Sequence, residues 1–125
     1  NNTRKNLTKN DFSCFSNMNA QFAMTAHIKY SKLDNEFVAT HSKIIIKEII
    51  RKKIKFKGIL VSDDISMKAL KYDLIKNANY SLKAGCNLVL YCAGKIKETS
   101  KLLKAMPLID NFTVKKTSEF YKFLS

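Results

Sequence analysis

The chain has 125 residues, 46% of them apolar and 26% charged. That is one domain with a single core, and the composition excludes a disordered tail. The net charge of +13 comes from 21 Lys and 2 Arg against 10 Asp and Glu, and this scattered, Arg-poor surplus reads as compositional drift rather than a nucleic-acid surface.

Residues 22–28 (FAMTAHI) form a short apolar run ending in Thr25 and His27, which predicts a buried strand. Ser42 can cap a helix over 43–53, where Ile44, Ile45, Ile49 and Ile50 share one face and Arg51, Lys52 and Lys53 suit the C-terminal dipole. Residues 56–62 predict a second strand, with Ser62, Asp63 and Asp64 at its end. Asp73 can cap a helix over 74–84 that repeats Leu74, Ala78 and Leu82 every four residues, and Gly85 stands at its C′ position. Residues 86–92 (CNLVLYC) predict a third strand, 95–106 a helix stopped by Pro107, and 117–124 a last short helix. Alternating strands and helices indicate βαβ units and a parallel sheet, a fold of the α/β class.

In such sheets ligands gather beyond the C-terminal strand ends. That rim gathers His27, Asp63, Asp64 and residues 91–93. Adjacent carboxylates repel, so one is expected to face a site while the other caps a backbone N–H or holds a turn. Either use, catalysis or a turn, fits the spacing. His27 has no partner in sequence, and His41 is expected at the surface. Cys14, Cys86 and Cys92 lie in or near apolar runs, where a thiol behaves as a small hydrophobe. Their odd number and irregular spacing suggest no disulfide framework or zinc site, so a reducing compartment is expected. No phosphate-binding glycine loop, metal-ligand pattern, secretory leader or membrane-length apolar run is visible, so no cofactor, metal or membrane is expected.

Several blocks carry a resemblance. They are residues 22–28, Leu33 with Asp34, Ala39 and Thr40 with Ser42, Arg51, Phe56-Lys57-Gly58, residues 62–69 (SDDISMKA) and residues 84–92 (AGCNLVLYC). In this order and spacing the chain resembles the family 3 glycoside hydrolases, in the branch of bacterial β-N-acetylhexosaminidases of cell-wall recycling. The resemblance implies a (β/α)8 barrel in which the three strands are the sixth, seventh and eighth. It implies that Asp63 is the nucleophile, forming a glycosyl-enzyme that water resolves with retention. His27 and Met67 are the candidate substrate-binding residues. The sequence departs from the family in places. No Lys-His-x-Pro-Gly-His type loop, which carries the acid/base histidine, is present. The sugar-binding residues of the earlier strands are also missing. Asn87 stands where Asp is usual, and Val38 where Pro is usual.

Residues 1–125 are therefore expected to be a C-terminal portion of the catalytic barrel, incomplete, with 1–10 poorly determined and 107–125 a helical tail. The expected substrate is an N-acetylglucosamine glycoside and the expected setting cytoplasmic. Activity of this stretch alone is not expected without a completing chain such as a separate N-terminal half-barrel, and no nucleic acid or membrane partner is expected. The alternatives are a basic α/β binding module or a non-functional remnant.

Overall fold

A computed structural model describes residues 6–16 and 19–124; the polar N-terminal stretch falls partly outside them. Three strands form one parallel sheet in the order β1 (Phe22–Met24), β2 (Ile59–Asp64), β3 (Leu88–Leu90). Between β1 and β2 the chain makes a tight turn at Ala39–His41 and a π-type helix over Ile45–Lys53. Helix α1 (Leu74–Ala84) connects β2 to β3, and α2 (Ile96–Ala105) and α3 (Asn111–Leu124) follow. The α/β fold with a parallel sheet is as expected.

Capping explains the best-placed element. The Asp73 carboxylate accepts the Lys76 N–H at 2.9 Å, and Gly85 takes φ 121° to end α1, a backbone state that a Cβ penalises. Ser42 likewise accepts the Ile45 N–H at 3.1 Å, starting the π-type helix, whose wider winding shows in the Ile54 N–H to Ile49 carbonyl bond of 2.8 Å.

The strands are shifted or shorter than their apolar runs, and at β2 and β3 the flanking peptide groups have other partners. Arg51 Nη1 donates to the carbonyls of Phe56 and Gly58 at 3.1 and 2.7 Å, so β2 starts only at Ile59. Lys55, at φ 63°, turns the chain just before. At β3, the Cys86 N–H donates to Ser81 O at the end of α1, and the Cys92 N–H to the Asp64 carboxylate at 3.1 Å. The final helix starts at Asn111 instead of 117, because Asp110 accepts the Thr113 N–H at 2.7 Å and caps it.

The core lies mainly between the sheet and its covering helices. Ile46, Leu60, Ala84, Phe56 and Cys86 pack as one cluster, and Ile65, Ala78 and Leu102 as another between α1 and α2. Helix α3 passes the N-terminal strand ends. Phe120 meets Phe22 edge-on at 4.9 Å between centroids, and the buried Thr113 hydroxyl accepts from Asn87 Nδ2 at 3.2 Å.

Two side chains depart from expectation. His41 is buried, because the Ala39–His41 turn packs on α1 and its ring lies among Tyr72 and Tyr80. Of the thiols only Cys86 is buried; Cys14 and Cys92 are exposed, since Cys14 sits on an outward turn and Cys92 lies past the end of β3.

Candidate functional site

The C-terminal strand ends bring His27, Asp63 and Asp64 together through Thr25, just past β1, and Thr40 in the turn beyond it. The Asp63 N–H donates to Thr25 Oγ1 at 3.2 Å. Thr25 Oγ1 lies 2.9 Å from Thr40 Oγ1, which lies 2.9 Å from His27 Nδ1. His27 Nε2 lies 2.8 Å from the Asp64 carbonyl oxygen. The carbonyl end fixes one proton directly, and the other bonds run in one direction when the ring carries only that proton. A carbonyl only accepts, so Nε2 carries the hydrogen. In the neutral ring Nδ1 then accepts from the Thr40 hydroxyl, and Thr40 accepts from Thr25, which accepts from the Asp63 N–H. The ring of bonds leaves the backbone at one aspartate and returns at the next. Each bond polarises its neighbour in the same sense. Its effect is to hold the backbone on either side of the Asp63–Asp64 pair against the chain beyond β1.

The two carboxylates are used differently. Asp64 is tied down: Oδ1 accepts the Ser66 N–H at 3.0 Å and the Cys92 N–H at 3.1 Å. The Ser66 hydroxyl reaches both oxygens, at 2.8 and 2.7 Å. Burial works to raise the Asp64 pKa, but the Ser66 N–H and hydroxyl, the Cys92 N–H and nearby His27 together hold it below the ordinary value. Asp63 Oδ1 accepts the Asp64 N–H at 2.9 Å. The turn role that spacing allowed for one of the pair belongs to Asp64. No bond among the described residues joins His27 to the Asp63 carboxylate; the imidazole meets the Asp64 backbone.

Met67 is tied to the same carbonyl, its N–H donating to Asp64 O at 3.2 Å, while its side chain is exposed. It lines a cavity of about 670 Å³ between the loop after β2 and the start of α2, with Ser66, Tyr72, Lys95 and Glu98. Tyr91 donates its hydroxyl to Glu98 at this edge. The sequence offered no local signal for the Thr25–Thr40 link, whose members are 15 residues apart. Among the described residues no three His, Cys, Asp or Glu side chains gather as a metal-holding group. No described helix is long and apolar enough to cross a membrane.

The family model "Glycosyl hydrolase family 3 N terminal domain" matches residues 1–117. A β-hexosaminidase of Haemophilus influenzae is 41% identical over 71 residues, covering 55% of this chain and 20% of that relative. Zinc-bound CbsA from Thermotoga neapolitana superposes with a TM-score of 0.72 at 28% identity, covering 84% of this chain and 24% of CbsA. NagZ from Neisseria gonorrhoeae in complex with a zinc ion superposes with a TM-score of 0.61 at 31% identity, covering 76% of this chain and 27% of NagZ. The chain thus spans about a fifth to a quarter of the length of these relatives. With the model matched over nearly all its residues and β-hexosaminidases among its relatives, this chain belongs to glycoside hydrolase family 3 as a relative of the β-N-acetylhexosaminidases.

Proposed function

We propose that this chain carries the nucleophile strand of a retaining β-N-acetylhexosaminidase, with Asp63 as nucleophile. The observation that carries this reading is the division of labour between the adjacent carboxylates at the end of β2. Asp64 is occupied by Ser66 and Cys92, whereas Asp63 gives one oxygen to a single backbone N–H. A nucleophile has to be ionised and sterically available, and it gains precision from a rigid strand end. The bond ring through Thr25, Thr40 and His27 supplies that rigidity.

In the proposed reaction an Asp63 oxygen attacks the anomeric carbon as the glycosidic oxygen leaves and takes a proton from a general acid. Water then attacks the glycosyl-aspartate ester from the same face the leaving group occupied, so configuration is retained. His27 and Met67 line the sugar's approach. The 125 residues hold no loop of the Lys-His-x-Pro-Gly-His type, so the proton donor comes from elsewhere in a completed barrel, of which β1, β2 and β3 are strands six to eight. General acid assistance is worth about 10²–10⁴ in rate, and the 125-residue stretch alone is accordingly inactive. The completing part this reading implies is the earlier half of the barrel, on the same polypeptide or as a separate N-terminal half. The substrate class is N-acetylglucosamine glycosides from cell wall, recycled in the cytoplasm.

The test is made on a protein completed by the first part of a barrel from a relative. Asp63→Asn is expected to abolish turnover of an aryl β-N-acetylglucosaminide, and a fluorinated slow substrate is expected to leave a sugar mass on the Asp63 peptide. Unchanged turnover, or a label on Asp64 instead, would remove the assignment.

A further inference from the structure

At the opposite end of the sheet Arg51 is set as a cation with no anion. It is half-buried, and its guanidinium lies between two phenyl rings, 5.3 Å from the Phe56 centroid and 5.8 Å from that of Phe112. Nη1 gives both hydrogens to the Phe56 and Gly58 carbonyls, and Nη2 gives one to Asn87 Oδ1 at 2.7 Å. A guanidinium has five N–H hydrogens, so Nε–H and one Nη2–H are left without an acceptor among the described residues. All three acceptors are neutral. No carboxylate lies within 4.0 Å of the guanidinium among the described ion pairs. A partly buried charge is normally compensated.

Arg51 borders a cavity of about 540 Å³ that Asn87, Lys57, Lys116 and Asp110 also line. Asp110 caps the start of α3, its Oδ1 accepting the Thr113 N–H, and is not among the described ion pairs with Arg51. Lys116 is paired with Glu119 at 2.7 Å, which leaves Arg51 and Lys57 as the cations free to face a guest. The aromatic walls keep water from one side of the guanidinium and so strengthen its field.

We propose that this recess is an anion-binding site, distinct from the strand-end rim, that takes a small oxyanion such as a phosphate or carboxylate group on the unused N–H edge of Arg51. Arginine is the side chain whose planar fork matches such groups. The proposal stands independently of the catalytic reading, since it concerns the other end of the sheet.

Asn87 makes the test sharp. Asn87→Asp places an internal carboxylate on the same Nη2 and keeps the acceptors for Arg51 and for the Leu60 N–H, which Oδ1 receives at 2.9 Å. Thermal midpoints of the 125-residue chain would be measured in phosphate, in acetate and in chloride at matched ionic strength. Phosphate at about 30-fold its dissociation constant is expected to raise the midpoint by roughly 6–8 °C over chloride. Acetate is expected to act in the same direction, its arm separating a carboxylate guest from a phosphate one. The Asn87→Asp variant is expected to show a higher midpoint in chloride and no further gain from phosphate. Equilibrium dialysis against radiolabelled phosphate reads occupancy directly, without requiring a cooperative melt, and is expected to fall at least tenfold in Asn87→Asp and in Arg51→Lys. No phosphate retained by the unaltered chain, or equal retention by both variants, would overturn the proposal.

Discussion

Gly58 gives the most direct test of how β1 and β2 are joined. A Cβ built there would lie 2.3 Å from Gln21 O, 2.7 Å from Phe56 Cζ and 2.8 Å from the Gln21 carbonyl carbon. Two of those atoms are backbone, so no side-chain rotation relieves the overlap. Gln21 O is also the acceptor of the Ile59 N–H at 2.9 Å, the bond that opens the β1–β2 ladder. Gly58→Ala therefore costs about 1–3 kcal/mol of overpacking and weakens a hydrogen bond worth about 1 kcal/mol. The expected loss is about 3 kcal/mol. At a urea dependence of about 1.5 kcal/mol per molar, this lowers the unfolding midpoint by about 2 M. Circular dichroism against urea measures it. A loss below about 0.5 kcal/mol, the range of a surface change, would show that β1 does not approach β2 at this point.

Two other outcomes follow from the described chemistry. Burial works to raise the Asp34 pKa, but the Ser42 hydroxyl at 2.7 Å and the N–H groups of Phe37 and Glu36 hold it below 3.8. A depressed carboxylate contributes stability above its unfolded value that is lost as pH falls through the folded value. Ser42→Ala is thus expected to lower stability at neutral pH by about 1 kcal/mol through the lost helix cap and to flatten the decline below pH 3.8, read by urea midpoints across pH; an equally steep decline would count against the Asp34–Ser42 link. Burial pushes the Cys86 thiol up to about 12, so a thiol reagent at a mildly alkaline pH is expected to modify Cys14 and Cys92 promptly and Cys86 only after denaturation, as peptide mapping would show.

What the sequence made legible depended on how local the deciding contacts are. Helix α1 was readable at both ends because Asp73 and Gly85 act on their immediate neighbours. The strand order was readable from apolar runs, but the strand limits were not. Whether Phe56 joins a ladder is decided by the guanidinium of Arg51, and whether Cys92 does is decided by a carboxylate 28 residues earlier. His41 looked like a surface residue because Tyr72 and Tyr80, which enclose it, lie on a later part of the chain. The rim was legible as a place, from strand ends and from Asp63 and Asp64. The hydroxyl chain linking Thr25 to Thr40 was not, since a threonine carries no mark of the partner it will meet.

The pairing of β2 with β3 changes phase between Val61 and Asp64, where Val61 faces Leu88 and Asp64 faces Leu90. Three steps along one strand are thus matched by two along the other. Asp63 and Asp64 are chemically identical neighbours, and a one-residue slip of β2 would put one of them in the other's place. The clasp of Asp64 on Ser66 and on the Cys92 amide makes that slip detectable to the fold, because only one of the two positions reaches both donors. The anchored aspartate thereby acts as an index mark for the strand, so that the fold distinguishes between two residues of the same kind.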